Sequence, residues 1–240
     1  MNLKRAFRKS VDCLHILKAR ALPSYSQVGE DIIVNYLFNS LTITKLSYLD
    51  IGVNHPVISN NTYFFYSRGS RGVCIEPDPY LYKIVKDTRK NDVVLNCGIG
   101  FNESSSSAFY TFPERYSGWN TFSLSEARTR EIESGIKIQN TSHVPLRSIN
   151  NIIAENFTGY PNYISIDVEG LDLEILQSFD FEKYRPEIFC VETVTFDVQH
   201  RGTKIVEIVD FMKTKGYFVY ADTYVNTIFC REDLFKTISS

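Results

Sequence analysis

The 240-residue sequence has no excess of charge, no paired cysteine motif and no long apolar run. The formal net charge is −2 at pH 7, so the overall surface does not favour nucleic acid. The five cysteines form no Cys-x-x-Cys pair, which argues against structural zinc and fits a reducing compartment. No segment reaches the roughly 18 apolar residues of a membrane-spanning helix, and no signal-peptide core is present. We therefore expect a soluble, cytoplasmic protein without a nucleic-acid partner.

The beginning of the chain departs from this even distribution of charge. Six basic side chains stand against the single acid Asp12 in the first twenty residues, and apolar residues lie between them. This pattern predicts a basic amphipathic helix over residues 1–24. Such a helix could contact the inner face of an anionic membrane peripherally, or it could pack on the rest of the protein. Residues 25–240 are predicted to form a single domain, because chains up to about 250 residues often share one core.

The domain is organised around an apolar run that ends in Asp50-Ile51-Gly52-Val53-Asn54. A second apolar run, Gly72–Ile75, ends in Glu76. A buried parallel strand that ends in a glycine turn is typical of an α/β, Rossmann-like sheet opening into a ligand crevice. Glycine allows the backbone to turn sharply and approach a ligand. An acid at the end of the second strand can accept both hydrogen bonds of a ribose diol. The two runs predict a nucleoside-binding half.

The same loop lacks a phosphate cradle. A dinucleotide site would have the pattern G-x-G-x-x-G, whereas Gly52 is followed by no further glycine before Gly69. A nucleoside without phosphates, such as S-adenosylmethionine, fits better, with its amino-acid end at the Gly52 loop and its ribose at Glu76. A nucleotide-sugar or NAD-dependent oxidoreductase stays as an alternative, although it predicts tighter glycine spacing.

Four predicted strands end in an acid, and the carboxyl ends of parallel strands lie along one rim of a sheet. These acids are Asp50, Glu76, Asp167 and Glu192, and Glu169 follows closely after the third. Burying so many carboxylates is costly unless partners satisfy them, which indicates function. Asp167 or Glu169 could act as the general base for an acceptor hydroxyl, or both could hold a divalent cation such as Mg²⁺ with Glu192. An alternative for Glu169 is a first-turn helix acid stabilised by the dipole.

Two histidines are alternative bases. His143 lies at the end of an irregular stretch, and His55 follows the Gly52 loop. A lone histidine in a loop is more often neither a base nor a ligand, so both are weaker candidates than Asp167.

A long stretch at about 101–143 interrupts the alternation of strands and helices. It is rich in aromatic residues, and long insertions in compact domains are usually functional. We interpret it as a substrate cover with an added hairpin around 108–112. A surface loop that packs its own aromatics is the alternative. Outside it, periodicity predicts helices near Tyr80–Lys90, Ser148–Asn156, Leu171–Phe179 and Thr203–Lys215, a third strand at Val93–Cys97, and a final antiparallel pair of strands.

Several motifs together resemble a known family. They are Ser26–Asp31, Leu49–Pro56, Cys74–Asp78, Val144–Leu146 and Ile164–Gly170. From about Tyr25 to Thr193 the chain resembles the FkbM-type S-adenosylmethionine-dependent methyltransferases. The resemblance implies a class I methyltransferase domain: an α/β fold with a seven-stranded, mostly parallel sheet and helices on both faces. It also implies O-methylation of sugars or of secondary-metabolite hydroxyls.

The resemblance assigns roles to individual residues. Asp50, Gly52, Asn54 and Glu76, with Pro77 beside it, become contacts of the cofactor S-adenosyl-L-methionine, and Gln27 and Glu30 would close its pocket. Asp167 and Glu169 are the signature acids near the methyl acceptor. The first loop has fewer glycines than most class I methyltransferases, and the family's third acidic position is either Asp172 or Glu174.

The expected function is therefore methyl transfer to a saccharide hydroxyl in surface-glycan biosynthesis, at the inner face of the membrane. Two alternatives remain: a methyltransferase acting on a non-sugar small molecule, and a degenerate fold that serves as a binding subunit.

Overall fold

The structure is a computed structural model that describes residues 22–101, 105–199 and 201–238. Residues 1–21, which carry most of the predicted basic helix, lie outside this range. Within the described ranges, no helix has the length and apolar content needed to cross a membrane.

Helices and strands alternate along most of the described chain. The helices are α1 (Glu30–Ser40), α2 (Tyr63–Ser67), α3 (Pro79–Thr88), α4 (Leu124–Ser134), α5 (Ile149–Asn156), α6 (Asp172–Ser178), α7 (Val206–Thr214) and α8 (Glu232–Ile238), with a 3₁₀ helix at Glu114–Trp119. The strands are β1 (Ser47–Ile51), β2 (Arg71–Ile75), β3 (Val93–Leu95), β4 (Gly98–Ile99), β5 (Ser106–Thr111), β6 (Asn140–Arg147), β7 (Tyr163–Ile166), β8 (Ile188–Glu192), β9 (Tyr217–Asp222) and β10 (Asn226–Arg231).

Seven strands form the main sheet in the order β3-β2-β1-β7-β8-β10-β9. The pairs within β3-β2-β1-β7-β8 are parallel, and β10 runs antiparallel to both β8 and β9. The predicted seven-stranded, mostly parallel sheet is confirmed. The strand order reverses between β1 and β7, which is where an open α/β sheet forms its ligand crevice.

Helices cover both faces of this sheet, as predicted. Helices α1, α2 and α3 pack on one face through residues such as Phe38 and Val85. Helices α5, α6 and α7 pack on the other through residues such as Ile152 and Met212. Because strand side chains alternate between faces, each central strand contributes to both cores. The sheet is therefore buried on both sides, and its open carboxyl rim is left for a ligand.

The aromatic-rich insertion is more regular than its sequence pattern suggests. Strand β6 pairs with β5 antiparallel and with β4 parallel, so β4, β5 and β6 form a second sheet. The predicted third strand ends at Leu95 rather than Cys97, and the next residues, Gly98–Ile99, form the separate strand β4. Helix α4 has few apolar residues, so apolar periodicity does not predict it. Its ends do carry signals: the Ser123 side chain caps the first turn, and Gly135 adopts a left-handed conformation after the last.

Candidate active site

A cavity of about 260 Å³ opens at the carboxyl ends of β1, β2 and β7. The main sheet and the insertion both line it, so the insertion forms one wall. The cavity lining includes Gln27, Ile51, Gly52, Val53, Asn54, Glu76, Pro77, Leu81, Cys97, Ile99, Ser117, Asn120, Asp167 and Glu169.

The turn after β1 brings the backbone against β7. Gly52 has φ 86°, and a Cβ atom there would lie 1.8 Å from the backbone oxygen of Asp167. Only glycine allows so close an approach. Asn54 also has a positive φ, 50°, which asparagine tolerates better than most residues. Its side-chain oxygen accepts a hydrogen bond from the Ser117 hydroxyl at 2.9 Å, so the turn is joined to the insertion.

Glu76 follows β2 and is 3% exposed. One carboxylate oxygen accepts the backbone N–H of Asn54 at 2.7 Å, and the other accepts that of Asp78 at 2.8 Å. A carboxylate oxygen has two lone pairs, so each retains the capacity to accept another hydrogen bond. Burial raises the pKa of Glu76 to about 8, although the hydrogen bonds from the two backbone N–H groups lower it. The site therefore holds an oriented carboxylate at the cavity wall.

Two predicted cofactor contacts, Asp50 and Glu30, are not among the residues that line the cavity. Because Ile51 lines the cavity, the preceding Asp50 points to the opposite face of β1, where it accepts hydrogen bonds from Thr62 (2.6 Å) and Asn60 (3.3 Å). Glu30 is buried and bonds Thr223. A direct contact of either side chain with a cofactor stays a prediction.

Three predicted catalytic acids converge at the ends of β7 and β8. Asp167, Glu169 and Glu192 each place one carboxylate oxygen within 4.8 Å of the other two. Asp167 and Glu169 line the cavity, and Glu192 lies beside them. Burial and neighbouring carboxylates raise the pKa of Asp167 and of Glu192 well above their usual values. A raised pKa makes the ionised carboxylate a stronger base than an exposed one.

A residue that the sequence did not indicate completes this cluster. Arg130 on α4 donates to the Glu169 carboxylate at 2.8 Å and to the Trp119 carbonyl at 2.8 Å. The Glu169 carbonyl also accepts the Thr121 hydroxyl at 3.0 Å. Burial raises the pKa of Glu169 to about 7, although Arg130 lowers it. The Ser123–Glu126 capping pattern could have predicted α4, but no local signal places Arg130 against Glu169.

The two histidines lie apart from the cavity lining. His143 is exposed on β6, opposite Ala108 of β5. The Nδ1 atom of His55 accepts the backbone N–H groups of Val57 and Ile58, which makes His55 part of a local turn. These positions give neither histidine a contact with the carboxylate cluster, so the carboxylates are the better candidates for the base.

The strand order and the cavity at the switch point, with Glu76 beside a glycine turn, define a class I methyltransferase fold. The family model of the methyltransferase FkbM domain matches residues 50–219, and the chain belongs to this family. It is an S-adenosylmethionine-dependent methyltransferase, which confirms the resemblance and sets the oxidoreductase alternative aside. No curated protein matches the sequence.

Solved methyltransferase structures are similar to the chain at low identity. An O-methyltransferase from Bacillus cereus in complex with SAH has 12% identity and a TM-score of 0.41, covering 91% of this chain and 87% of that one. A 1,6-didemethyltoxoflavin-N1-methyltransferase from Burkholderia thailandensis has 9% identity and a TM-score of 0.44, covering 95% and 87%. Magnesium protoporphyrin IX methyltransferase from Synechocystis PCC 6803 has 8% identity and a TM-score of 0.38, covering 96% and 98%.

Proposed function

We propose that S-adenosylmethionine occupies the cavity with its ribose hydroxyls on Glu76. The observation that carries this proposal is the Glu76 carboxylate, which is buried at the cavity wall and held by one backbone N–H on each oxygen. The amino-acid end of the cofactor would lie along the Gly52–Asn54 turn. The adenine would lie toward β3, where Leu81, Cys97 and Ile99 offer an apolar surface. The methyl group would then face Asp167.

In the proposed reaction the protein places the acceptor oxygen in line with the methyl group and accepts one proton. The acceptor oxygen would attack the methyl carbon of bound S-adenosylmethionine, the carbon–sulfur bond would break, and its electron pair would stay on sulfur to give S-adenosylhomocysteine. The hydroxyl proton passes to the carboxylate of Asp167. In-line placement of the oxygen supplies most of the acceleration because the sulfonium methyl is already activated. A general base contributes about 10²–10⁴-fold. Asp167 is the choice because it lines the cavity while Glu169 is bound to Arg130.

The acceptor in this proposal is a saccharide hydroxyl, and the process is surface-glycan biosynthesis. Polar groups of the insertion, including Ser117 and Asn120, line the cavity beside apolar side chains, a combination suited to a sugar. The basic segment of residues 1–20 supports work at the cytoplasmic membrane face on a lipid-linked glycan. Unchanged membrane recovery after deletion of residues 1–20 would refute that last part.

The three carboxylates also fit a hard divalent cation such as Mg²⁺. Their oxygens lie close enough to share one ion, and within the described ranges no hydrogen-bond donor contacts the carboxylate of Asp167 or Glu192. Asp167, Glu169 and Glu192 would hold the ion, which would polarise the acceptor hydroxyl when bound.

A transfer assay tests the proposal. The full chain is incubated with S-adenosylmethionine labelled in the methyl group and a panel of methyl glycosides, with simple phenols for comparison. We expect label on a glycoside and a loss of at least about 100-fold in Asp167→Asn. The matched control is Asp210→Asn, since the Asp210 side chain on α7 is 72% exposed.

The other outcomes separate the alternatives. Label on the phenols alone would favour a non-sugar acceptor, and cofactor binding without any transfer would favour a binding subunit. Loss of transfer in EDTA and recovery with Mg²⁺ would support the cation, whereas unchanged transfer in EDTA would refute it.

A further inference from the structure

Arg130 is a buried cation on an otherwise polar helix. The side chain of Arg130 is 1% exposed, whereas that of Arg128 on the same helix is 62% exposed. Burying a guanidinium is costly unless good partners satisfy it. The Nε atom of Arg130 is buried with no hydrogen-bond partner among the described residues, which adds to that cost. Packing of α4 against the domain does not by itself explain the cost of desolvating this guanidinium.

The partners of Arg130 belong to two different parts of the domain. One guanidinium nitrogen donates to the carbonyl of Trp119 in the insertion. The other donates to the carboxylate of Glu169 and, at 3.4 Å, to its carbonyl in the turn after β7. The guanidinium also lies 4.9 Å from the centre of the Phe196 ring, which packs edge-on against Trp119. Arg130 therefore joins the insertion to the turn after β7, which contains Glu169.

The turn that Arg130 holds is strained. Glu169 has φ 61° and the next residue, Gly170, has φ 109°. A left-handed conformation is unfavourable for glutamate and persists only when the surroundings impose it. The hydroxyl of Thr121 and the guanidinium of Arg130, both from the insertion, bind the Glu169 carbonyl. The insertion thus sets the direction of the Glu169 side chain.

We propose that Arg130 is a positioning residue of the acceptor site, which locks the insertion onto the Glu169 turn and leaves Asp167 as the carboxylate free to face the acceptor. This inference rests on the proposed function, because it presupposes that the cavity wall formed by the insertion contacts the methyl acceptor. Glu169 then serves as the bound counter-ion of Arg130, and the insertion is held at a fixed distance from Asp167.

The test compares Arg130→Gln, Arg130→Lys and the matched control Arg128→Gln in the full chain. Trp119 is the only tryptophan, so its fluorescence reports the insertion directly. We expect Arg130→Gln to shift the emission to the red and to increase quenching by acrylamide, and Arg128→Gln to change neither. On a glycoside that is methylated, Arg130→Gln should raise the acceptor KM and lower kcat/KM by about 10–100-fold, with the KM for S-adenosylmethionine unchanged. Arg130→Lys should recover part of the loss.

A double-mutant cycle with Glu169→Gln tests the pairing without any acceptor. Arg130→Gln leaves the Glu169 carboxylate without its cation, and Glu169→Gln leaves the buried Arg130 with only the more distant Glu126, at 3.9 Å. We expect the Tm of each single variant to fall by about 6–15 °C. The double variant should unfold at no lower temperature than either single variant, because it removes both charges.

Additive losses in that cycle, or an Arg130→Gln protein that fluoresces like Arg128→Gln, would overturn the inference. So would loss of S-adenosylhomocysteine binding in Arg130→Gln with the acceptor KM unchanged. If no glycoside is methylated by the wild type, the proposed function fails, whereas the fluorescence and the cycle still decide the role of Arg130.

Discussion

The ribose contact at Glu76 makes the sharpest prediction, and the perturbation is Glu76→Ala. Hydrogen bonds to a charged group contribute about 1.5–3 kcal/mol each, so two ribose hydroxyls on one carboxylate contribute about 3–6 kcal/mol. Since about 1.4 kcal/mol is a factor of ten, Glu76→Ala should weaken S-adenosylmethionine binding by about 10²–10⁴-fold. Isothermal titration calorimetry of the full chain measures this directly.

The protonation of Glu76 adds a dependence on pH. Burial raises its pKa to about 8, while ribose hydroxyls donate best to the ionised form. The affinity should therefore rise as the pH increases from 6 to 9, by up to about tenfold per unit below the pKa, and binding at pH 7 should release protons. Titrations in buffers of different ionisation enthalpy detect that release. Glu76→Gln, which is neutral at every pH, should bind weakly and lose this component.

The control is Glu114→Ala, an exposed acid on the 3₁₀ helix that does not line the cavity. It should bind the cofactor like the wild type. If Glu76→Ala keeps its circular dichroism spectrum and binds within threefold of the wild type, the ribose does not lie on Glu76, and the orientation proposed for the cofactor is wrong.

Two further predictions concern the turn after β1 and the acids at the strand ends. Gly52→Ala should abolish binding of S-adenosylhomocysteine and lower the Tm, because its Cβ would lie 1.8 Å from a backbone oxygen. The control is Gly69→Ala, which has a similar positive φ of 95° but nothing within 4 Å of the added Cβ, and it should keep binding. Equal losses of binding in the two variants would contradict the steric argument. Thermal unfolding in EDTA should show that the free protein loses stability as the pH rises above the ordinary carboxyl range of about 4. The raised pKa values of Asp167 and Glu192 mean that the folded state holds protons the unfolded chain releases, so this stability is full below the unfolded pKa values and is lost as the pH rises through the folded ones. The Asp167→Asn/Glu192→Gln variant should flatten the curve, and a Tm that rises with pH above that range would contradict this assignment.

Local sequence patterns predicted the main sheet better than they predicted the insertion. Apolar runs that end in acids predicted the carboxyl rim of the sheet, because a buried parallel strand needs apolar residues on both faces. The same criterion missed α4, whose signal lies in its capping residues Ser123 and Gly135 rather than in its periodicity. The hairpin predicted around 108–112 is instead a pairing of β5 with β6, whose partners lie 29 to 39 positions apart and share no local turn signal.

Some properties of the acids at the strand ends follow from the sequence, and others depend on the tertiary structure. The sequence alone determined the α/β class, the nucleoside-binding half without a phosphate cradle, and the set of acids from which the site is built. Each depends on residues close together along the chain. Only the tertiary structure decided that Asp50 faces away from the cavity while Asp167 lines it. Only the tertiary structure brought Arg130 onto Glu169, because a contact between residues 39 positions apart depends on how the insertion folds back over the sheet.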